Sequence, residues 1–577
     1  MREEWRLPAL LLAAYTCLAL TACGSSNGSH PISSNPGSYT VGGTVAGLSG
    51  SGLVLQLNNG NNLAISSNGS FTFATPLNAG DNYLVTAFAQ PSGPAQSCIV
   101  AHASGAVATE DVTNIQVNCV AIVAAPPNSA PGEWTWASGA QVADQAGVYG
   151  SAGAAGNVPG ARAGASGWRD AAGNLWLFGG EGPPVGGSCA LTHALCTAPA
   201  NEYRNDLWKF DGSEWTMISG SKATNQAGVY GQAGMAAPEN VPGARSGAAG
   251  WSDAAGNFWL FGGNGYDSKG TFGSLNDLWK FDGSDWTWMG GTNLANQKGV
   301  YGSQGQPASG NIPGARFDAV AFADASGNLW LFGGQGCDSV NSSCAMALSD
   351  LWKYSGGQWT WVDGLKVAYP AQPGVYGSEG DGSSENIPGA RYSAAGWMDP
   401  AGKLWVFGGA GYNLLASNIA ELNDLWQLSN GQWTWESGSS NQIDQTGVYG
   451  TESTPALNNV PGSRDSSASW TDADGNLWLF GGEGFGETSQ GNSAPYLNDL
   501  WKYSGGKWAW MGGSTAGGQA GTYGTSGSPD PGNIPGARIN AVTWTDGQGR
   551  LWMFGGIGVD SLHETGYLND LWVYQPG

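Results

Sequence analysis

The chain has 577 residues, enough for two or three domains with a sizeable buried core. Its 96 Gly and 28 Pro exclude a mainly helical protein, and 11% charged against 41% hydrophobic residues excludes a disordered one. A net charge of −23 excludes nucleic acid as a partner, because such a surface cannot neutralise a row of phosphates. We therefore predict a folded, turn-rich, all-β protein.

The N-terminus predicts export. Residues 1–22 are a short apolar run of the signal-peptide type, and residues 23–37 form a flexible tether. The run ends in Leu-Thr-Ala-Cys, which resembles the bacterial lipobox, so Cys23 is the expected lipidation site; a plain signal peptide that contains a Cys is the alternative. Because residue 24 is not Asp, similarity to Gram-negative sorting implies the outer membrane or cell surface, with the lipid anchor in the membrane.

Cysteine spacing agrees with export. Six of the eight Cys lie beyond Cys23 and fall into neighbouring pairs: Cys98 and Cys119, Cys189 and Cys196, Cys337 and Cys344. In an exported chain such pairs predict disulfides. His193 lies between Cys189 and Cys196, but that loop lacks a fourth zinc ligand. We predict three disulfides, no metal and no cofactor.

Residues 38–122 predict a small separate domain. Short apolar runs alternate with NNG, NG and AGD turns, which indicates six or seven strands and hence a β-sandwich. In size and shape this unit resembles the immunoglobulin-like spacer modules of bacterial surface proteins. Residues 123–130 are rich in Pro and predict a semi-rigid linker.

Residues 131–577 contain six internal repeats. Each repeat has a Pro-Gly-[Ala/Ser]-Arg motif, then Phe-Gly-Gly, then Asp-Leu-Trp, and Phe follows Arg after 16 residues. A Trp-containing fourth element completes the unit. Successive arginines are 71 to 83 residues apart: Arg162, Arg245, Arg316, Arg391, Arg464 and Arg538.

This order resembles the kelch repeat, which implies one four-stranded blade per repeat in a β-propeller. In the third repeat we expect strands at 316–323, 329–332, 351–354 and 358–361. The last repeat lacks its fourth element, and an orphan copy at 134–136 precedes the first repeat. We therefore predict an all-β fold: a six-bladed kelch-type β-propeller, closed by strand 134–136 and preceded by a small immunoglobulin-like β-sandwich.

Residues that recur in all repeats are expected to serve the fold. The Trp columns predict packing between blades, and the Tyr of Gly-[Val/Thr]-Tyr-Gly predicts loop packing. Six Asp match the six Arg and predict structural ion pairs. These carboxylates are Asp206, Asp277, Asp350, Asp424, Asp499 and Asp570.

The kelch resemblance also includes enzymes. Galactose-oxidase-like copper radical oxidases need two His, two Tyr and a free Cys, whereas this chain has four scattered His and paired Cys, so we exclude that activity. Bacterial sialic-acid mutarotases use Arg and Glu at the propeller mouth. A carboxylate-pair glycosidase also stays open. No residue can be named as catalytic.

The long insertions lie on one face of the predicted propeller, where binding sites are common. Two columns near that face vary between repeats, one directly after Arg and one directly after Gly-Gly. Their polar and aromatic members are the candidate ligand contacts: Glu181, Gln335, Glu483, Phe317, Tyr392 and Asp465.

We predict a monomeric, lipid-anchored binding or interaction protein that recognises a glycan or a protein, rather than an enzyme. The alternative is an exported carbohydrate-active enzyme of the mutarotase or hydrolase type. Carboxylates that converge at the propeller mouth would favour the alternative.

Overall fold

The computed structural model describes residues 38–58, 60–91, 96–121, 131–150, 157–183, 202–253, 255–324, 326–368, 372–415, 418–488 and 494–577. The fold is all-β and propeller-like, and the described residues contain no α-helix that could cross a membrane. The predicted signal peptide, tether and linker lie outside the described residues, as do Cys23 and the Cys189–Cys196 pair.

Residues 38–121 form two four-stranded sheets around one core. The first sheet has the order Gly69–Thr72, Val41–Ala46, Val112–Ala121 and Gln96–Ala101. The second has the order Asn61–Ile65, Leu53–Leu57, Asn82–Ala89 and Ser104–Ala106, and Ser38–Tyr39 pairs with Leu77–Asn78. The described part of this unit thus has ten strands rather than six or seven, because its shortest strands carry too few apolar residues for a sequence pattern.

Alternation explains the core of this unit. Leu53, Leu55 and Leu57 are buried while the residues between them are half-buried, as expected for a strand with one face on a core. Cys98 lies opposite Cys119 on neighbouring antiparallel strands and forms the predicted disulfide. The predicted Cys337–Cys344 disulfide is also present. Both indicate an extracellular or periplasmic location.

Each repeat builds an antiparallel sheet, which we number as repeat sheets 1 to 6 in chain order. Repeat sheet 5 shows the full pattern, with strands at Arg464–Asp465, Ala468–Thr471, Leu477–Gly484, Tyr496–Ser504 and Lys507–Gly512. Repeat sheet 4 has Arg391–Tyr392, Ala395–Met398, Leu404–Gly411, Ala420–Ser429 and Gln432–Ser437. Repeat sheet 2 has Arg245–Ser246, Ala249–Ser252, Phe258–Tyr266, Phe272–Phe281 and Trp286–Gly290.

The other repeats vary this pattern. Repeat 1 has Ser166–Arg169, Leu175–Phe178, Leu207–Phe210 and Trp215–Ser219, with a separate pair Glu181–Gly182 and Glu202–Tyr203. Repeat 3 has Val320–Ala323, Leu329–Phe332, Leu351–Ser355 and Gln358–Asp363, with a separate trio Arg316–Phe317, Gln335–Gly336 and Met346–Ala347. Repeat 6 has Arg538–Ile539, Val542–Thr545, Leu551–Val559 and Thr565–Tyr574, joined by Trp134–Ser138 and Pro529–Asp530.

The two ends of the repeat region meet in repeat sheet 6. Trp134 lies opposite Tyr574 and Trp136 opposite Trp572 on antiparallel strands, the same register that Trp286 and Trp288 take in repeat 2. The indole N–H of Trp544 in repeat 6 donates to the carbonyl of Trp176 in repeat 1 at 3.1 Å. The last repeat is therefore bonded to the first.

A buried polar cluster recurs in every repeat and confirms the predicted ion pairs. In repeat 3, Arg316 Nη1 lies 2.7 Å from Asp350 Oδ1, and both side chains are at most 1% exposed. The hydroxyl of Tyr301 and the indole of Trp352 donate to the other carboxylate oxygen at 2.6 Å. The repeated Tyr thus satisfies a buried charge, a more specific role than loop packing.

The outer edge of each sheet is capped by the loop that precedes its Arg. In repeat 2, the side-chain amide of Asn240 donates to the carbonyl of Trp286 on the outermost strand at 2.9 Å. Asn533 does the same for Trp134 at 3.0 Å. These asparagines belong to the repeated Asn-[Ile/Val]-Pro-Gly motif, and they blunt strand edges that would otherwise invite aggregation.

Candidate functional site

The innermost strand is broken in five of the six repeats, and the break forms the floor of the site. The sequence predicts one strand over 316–323, but the structure separates Arg316–Phe317 from Val320–Ala323 at Asp318, which has a φ of 52°. The equivalent residue is left-handed in every repeat, with φ between 52° and 62°: Gly164, Gly247, Asp318, Ser393, Ser466 and Asn540. Gly, Asp and Asn tolerate that conformation better than most residue types.

These six residues form a closed ring of backbone hydrogen bonds. Each N–H donates to the carbonyl of the equivalent residue in the preceding repeat, at 2.8 to 3.0 Å, and Gly164 closes the ring by donating to Asn540. Asp318 is the acidic member of the ring. A Cβ at Gly247 would collide with Asp318 Oδ1, so the carboxyl reaches back over the ring residue of repeat 2.

Above the ring, on the side of the long loops, each repeat contributes a row of three cross-strand partners. The first member follows Arg, the second follows Gly-Gly, and the third precedes the buried Asp by three residues. In repeat 5 the row is Asp465, Glu483 and Tyr496. In repeat 4 it is Tyr392, Ala410 and Glu421, and in repeat 1 it is Ala163, Glu181 and Tyr203. We call the ring and the six rows together the acidic cup.

Carboxyl groups from non-adjacent repeats meet in the acidic cup. Asp318 of repeat 3 interacts electrostatically with Asp465 of repeat 5 and with Glu181 of repeat 1. Because these repeats alternate around the ring, their side chains meet over its centre. Within the described ranges, no ion pair involves Asp318, Glu421, Asp465 or Glu483.

This crowding changes the acidity of the carboxyls. Burial, with the charges of Asp465 and Glu181, raises the pKa of Asp318 to about 7. Burial and the neighbouring carboxylates hold the pKa values of the interacting pair Glu421 and Asp465 well above their usual range. Burial also raises the pKa of Glu483. Asp318 therefore exchanges a proton near neutral pH, as groups at sites of binding and catalysis often do.

Aromatic rings complete the wall of the acidic cup. The rows include Tyr203, Phe317, Tyr392, Tyr496 and Tyr567, all half-buried. The hydroxyl of Tyr203 hydrogen-bonds to Glu181. Burial and the charge of Asp465 raise the pKa of Tyr392, so this phenol stays protonated and able to donate a hydrogen bond. The cup therefore offers apolar ring faces beside carboxyl and hydroxyl groups.

The six residues chosen from sequence all lie in these rows. Phe317 and Gln335 are cross-strand partners in repeat 3, and the Gln335 amide contacts the carbonyl of Ala345 at 3.4 Å. Sequence reasoning missed Asp318 and Glu421. A column of Gly, Gly, Asp, Ser, Ser and Asn two residues after Arg was the available signal for the ring.

No arrangement of three or more His, Cys, Asp or Glu side chains suited to a metal ion occurs in the part of the chain that the structure describes. Arg204 lies behind the wall of repeat 1, where the other repeats have Leu. It is 5% exposed and donates to the carbonyls of Pro183 and Glu202, so it joins the ends of the strand pair that bears Glu181 and Tyr203.

No family model and no curated protein matches this chain. One similar solved structure is a fungal alcohol oxidase of the AA5 family in complex with copper; it is 12% identical, with a TM-score of 0.37 over 72% of this chain and 74% of that one. Another, a protein of unknown function from Dyadobacter fermentans, is 9% identical, with a TM-score of 0.36 over 71% and 94% of the two chains. Similarities this low carry no function over to this chain.

Proposed function

We propose that this chain is an exported glycan-binding protein whose ligand occupies the acidic cup. The observation that carries the proposal is the convergence of Asp318, Glu421, Asp465 and Glu483 with aromatic rings over the centre of the repeat ring. Carboxyl and hydroxyl groups suit the hydroxyls of a sugar, and aromatic faces suit its C–H faces. Crowded carboxyls lower stability, so their presence favours a functional role.

The finer architecture belongs to the same proposal. We take residues 131–577 as a six-bladed kelch-type propeller and residues 38–122 as an immunoglobulin-like spacer. A lipid on Cys23 would hold the monomer at the outer membrane or cell surface, with the spacer lifting the cup away from it. The head-to-tail pairing of Trp134–Ser138 with Thr565–Tyr574 and the six-membered ring of hydrogen bonds support the blade count.

A carbohydrate-active enzyme is the second candidate, and the raised pKa values of the converging carboxyls support it. Glycoside hydrolysis needs one protonated and one ionised carboxyl near neutral pH. The acidic cup holds carboxyls with raised pKa values beside each other, among them Asp465 and Glu483 on facing strand positions. A mutarotase would use the same groups to move a proton between sugar oxygens.

A glycan array probed with the purified full chain tests the proposal. We expect binding to neutral oligosaccharides that falls at least tenfold in the variants Asp465→Asn and Tyr392→Ala. The matched control is Asp474→Asn, which removes the same charge from an exposed turn of repeat 5 on the opposite face. Loss of binding in the control, or unchanged binding in both cup variants, would refute the site.

The enzymatic candidate needs a second readout. Bound sugars are incubated with the wild type and followed by NMR for new reducing ends or for a faster exchange of anomers. Turnover that disappears in Asp465→Asn would establish the enzyme, and binding without turnover would establish the binding protein. Tight binding to a protein in place of any sugar would contradict the glycan proposal.

A further inference from the structure

The acidic cup holds four carboxyl groups close together, and this limits how many of them can be ionised at once. Asp465 and Glu483 are direct cross-strand partners, and like charges at such positions repel. The backbone of Asp318 is held by two hydrogen bonds of the ring. Glu421 Oε2 is buried and has no hydrogen-bond partner among the residues that the structure describes. Four ionised carboxylates in this space would be unstable without added protons or a cation.

The surroundings of Asp318 and Asp465 offer little compensation. The carboxyls that face them are Glu181, Glu421 and Glu483, with Asp444 near Glu421. The phenols around them are Tyr203, Tyr392 and Tyr496, with Tyr412 beside Tyr392 and Tyr266 beside Tyr203. Arg204 and Asp144 act on Tyr567 at the edge of the cup. Ser393 and Ser466 each give a hydrogen bond, to Asp318 and to Asp465 respectively, and the charged groups that act on these two carboxyls are themselves carboxyls.

Building on the proposed function, we infer that the acidic cup shares protons at neutral pH and takes an uncharged, hydroxyl-rich ligand with net uptake of protons. A protonated carboxyl both donates and accepts hydrogen bonds, as sugar hydroxyls do, whereas an ionised one only accepts. An uncharged ligand removes the water that screens the carboxylates, so their remaining charge becomes less favourable and protons are taken up. A cationic ligand would do the reverse and release protons.

The shared protons can be measured without any ligand. Potentiometric titration of the full chain compares the wild type with Asp318→Asn and, independently, with Asp465→Asn. We expect the wild type to release about one proton more than each variant between about pH 5 and pH 9, because an ordinary Asp titrates below that range. Asp474→Asn, on the exposed turn of repeat 5, is the charge-matched control. Coincidence of the wild type with both cup variants would overturn the inference.

Calorimetry in buffers of different ionisation enthalpy measures the protons exchanged on binding. The probes are neutral hexamers of N-acetylglucosamine, glucose and xylose, the cationic glucosamine hexamer and the anionic galacturonic acid hexamer. We expect a neutral hexamer to bind with proton uptake. For each proton taken up, its affinity should fall about tenfold for every pH unit above about pH 8. Asp318→Asn should flatten this slope.

Two outcomes separate this inference from the proposed function. Preferred binding of the glucosamine hexamer with proton release would overturn the inference and leave glycan binding in place. If none of the hexamers binds but the wild type still releases the extra proton between about pH 5 and pH 9, the proposed function is wrong and the shared protons are supported.

Discussion

Replacement of Asp318 by Asn should stabilise the protein at alkaline pH. The pKa of Asp318 rises from an ordinary 3.8 to about 7 in the folded chain, chiefly through burial and then through Asp465 and Glu181. A raised pKa means that the folded state holds its proton longer than the unfolded state. Stability is therefore fully present below about pH 4, declines as the pH rises towards 7, and stays reduced above it.

The raised pKa of Asp318 also sets the size of the stabilisation expected for Asp318→Asn. One pKa unit corresponds to ~1.4 kcal/mol, so a shift of about three units sets a ceiling of ~4 kcal/mol for the cost of ionising Asp318. The side chain is only half-buried and shares its repulsion with Asp465, so we expect ~1–2 kcal/mol at pH 8. Asn suits the position, because Asn540 occupies the equivalent ring position of repeat 6 with a φ of 53°.

Denaturant unfolding of the full chain at pH 4 and pH 8 measures this. Asp318→Asn should unfold at higher denaturant than the wild type at pH 8 and at the same concentration at pH 4. Asp474→Asn should match the wild type at both values. A variant that is less stable than the wild type at pH 8 would mean that the Asp318 carboxylate stabilises the fold, and the reasoning about crowded charge would be wrong.

Three other predictions concern the rest of the molecule. Cys23→Ser should release the protein from membranes and abolish acyl labelling, and unchanged membrane partition would contradict lipidation. Asp206→Ala should lower the free energy of unfolding by ~3–5 kcal/mol, because Arg162 would be left buried and unpaired; a loss below ~1 kcal/mol in urea titration would speak against that mechanism. Deletion of residues 1–138 should produce aggregation or a strongly lowered melting temperature, since Thr565–Tyr574 would lose its outer neighbour; a melting curve like that of the full chain would exclude this.

Most of the fold follows from repetition in the sequence. The Arg and Asp columns recur at fixed places, so their pairing across each repeat is predictable from charge matching alone. The orphan element at 134–136 could be assigned to repeat 6 by counting. The cross-strand disulfide Cys98–Cys119 follows from neighbouring Cys in an exported chain.

The acidic cup was predictable only in part. Asp465 and Glu483 vary between repeats and could be selected for that reason, but Asp318 and Glu421 were missed. Convergence of side chains across the centre of the ring depends on how far each strand break turns the chain inward. That turn comes from a residue in the left-handed conformation. The equivalent residues of the other repeats are Gly, Ser and Asn, so the charge of Asp318 occurs in one repeat alone and the repeat pattern cannot predict it.

The distribution of charge within the acidic cup argues for one orientation of the ligand. Carboxyls come from repeats 1, 3, 4 and 5, whereas the rows of repeats 2 and 6 contribute none. The row of repeat 6 is Ile539, Ile557 and Tyr567, which is apolar except for one hydroxyl. In the proposed glycan complex, the sugar would therefore turn its hydroxyl edge towards Glu421 and Asp465 and its C–H face towards repeat 6. The six repeats are similar, but the few columns in which they differ make one side of the ring acidic and another side apolar.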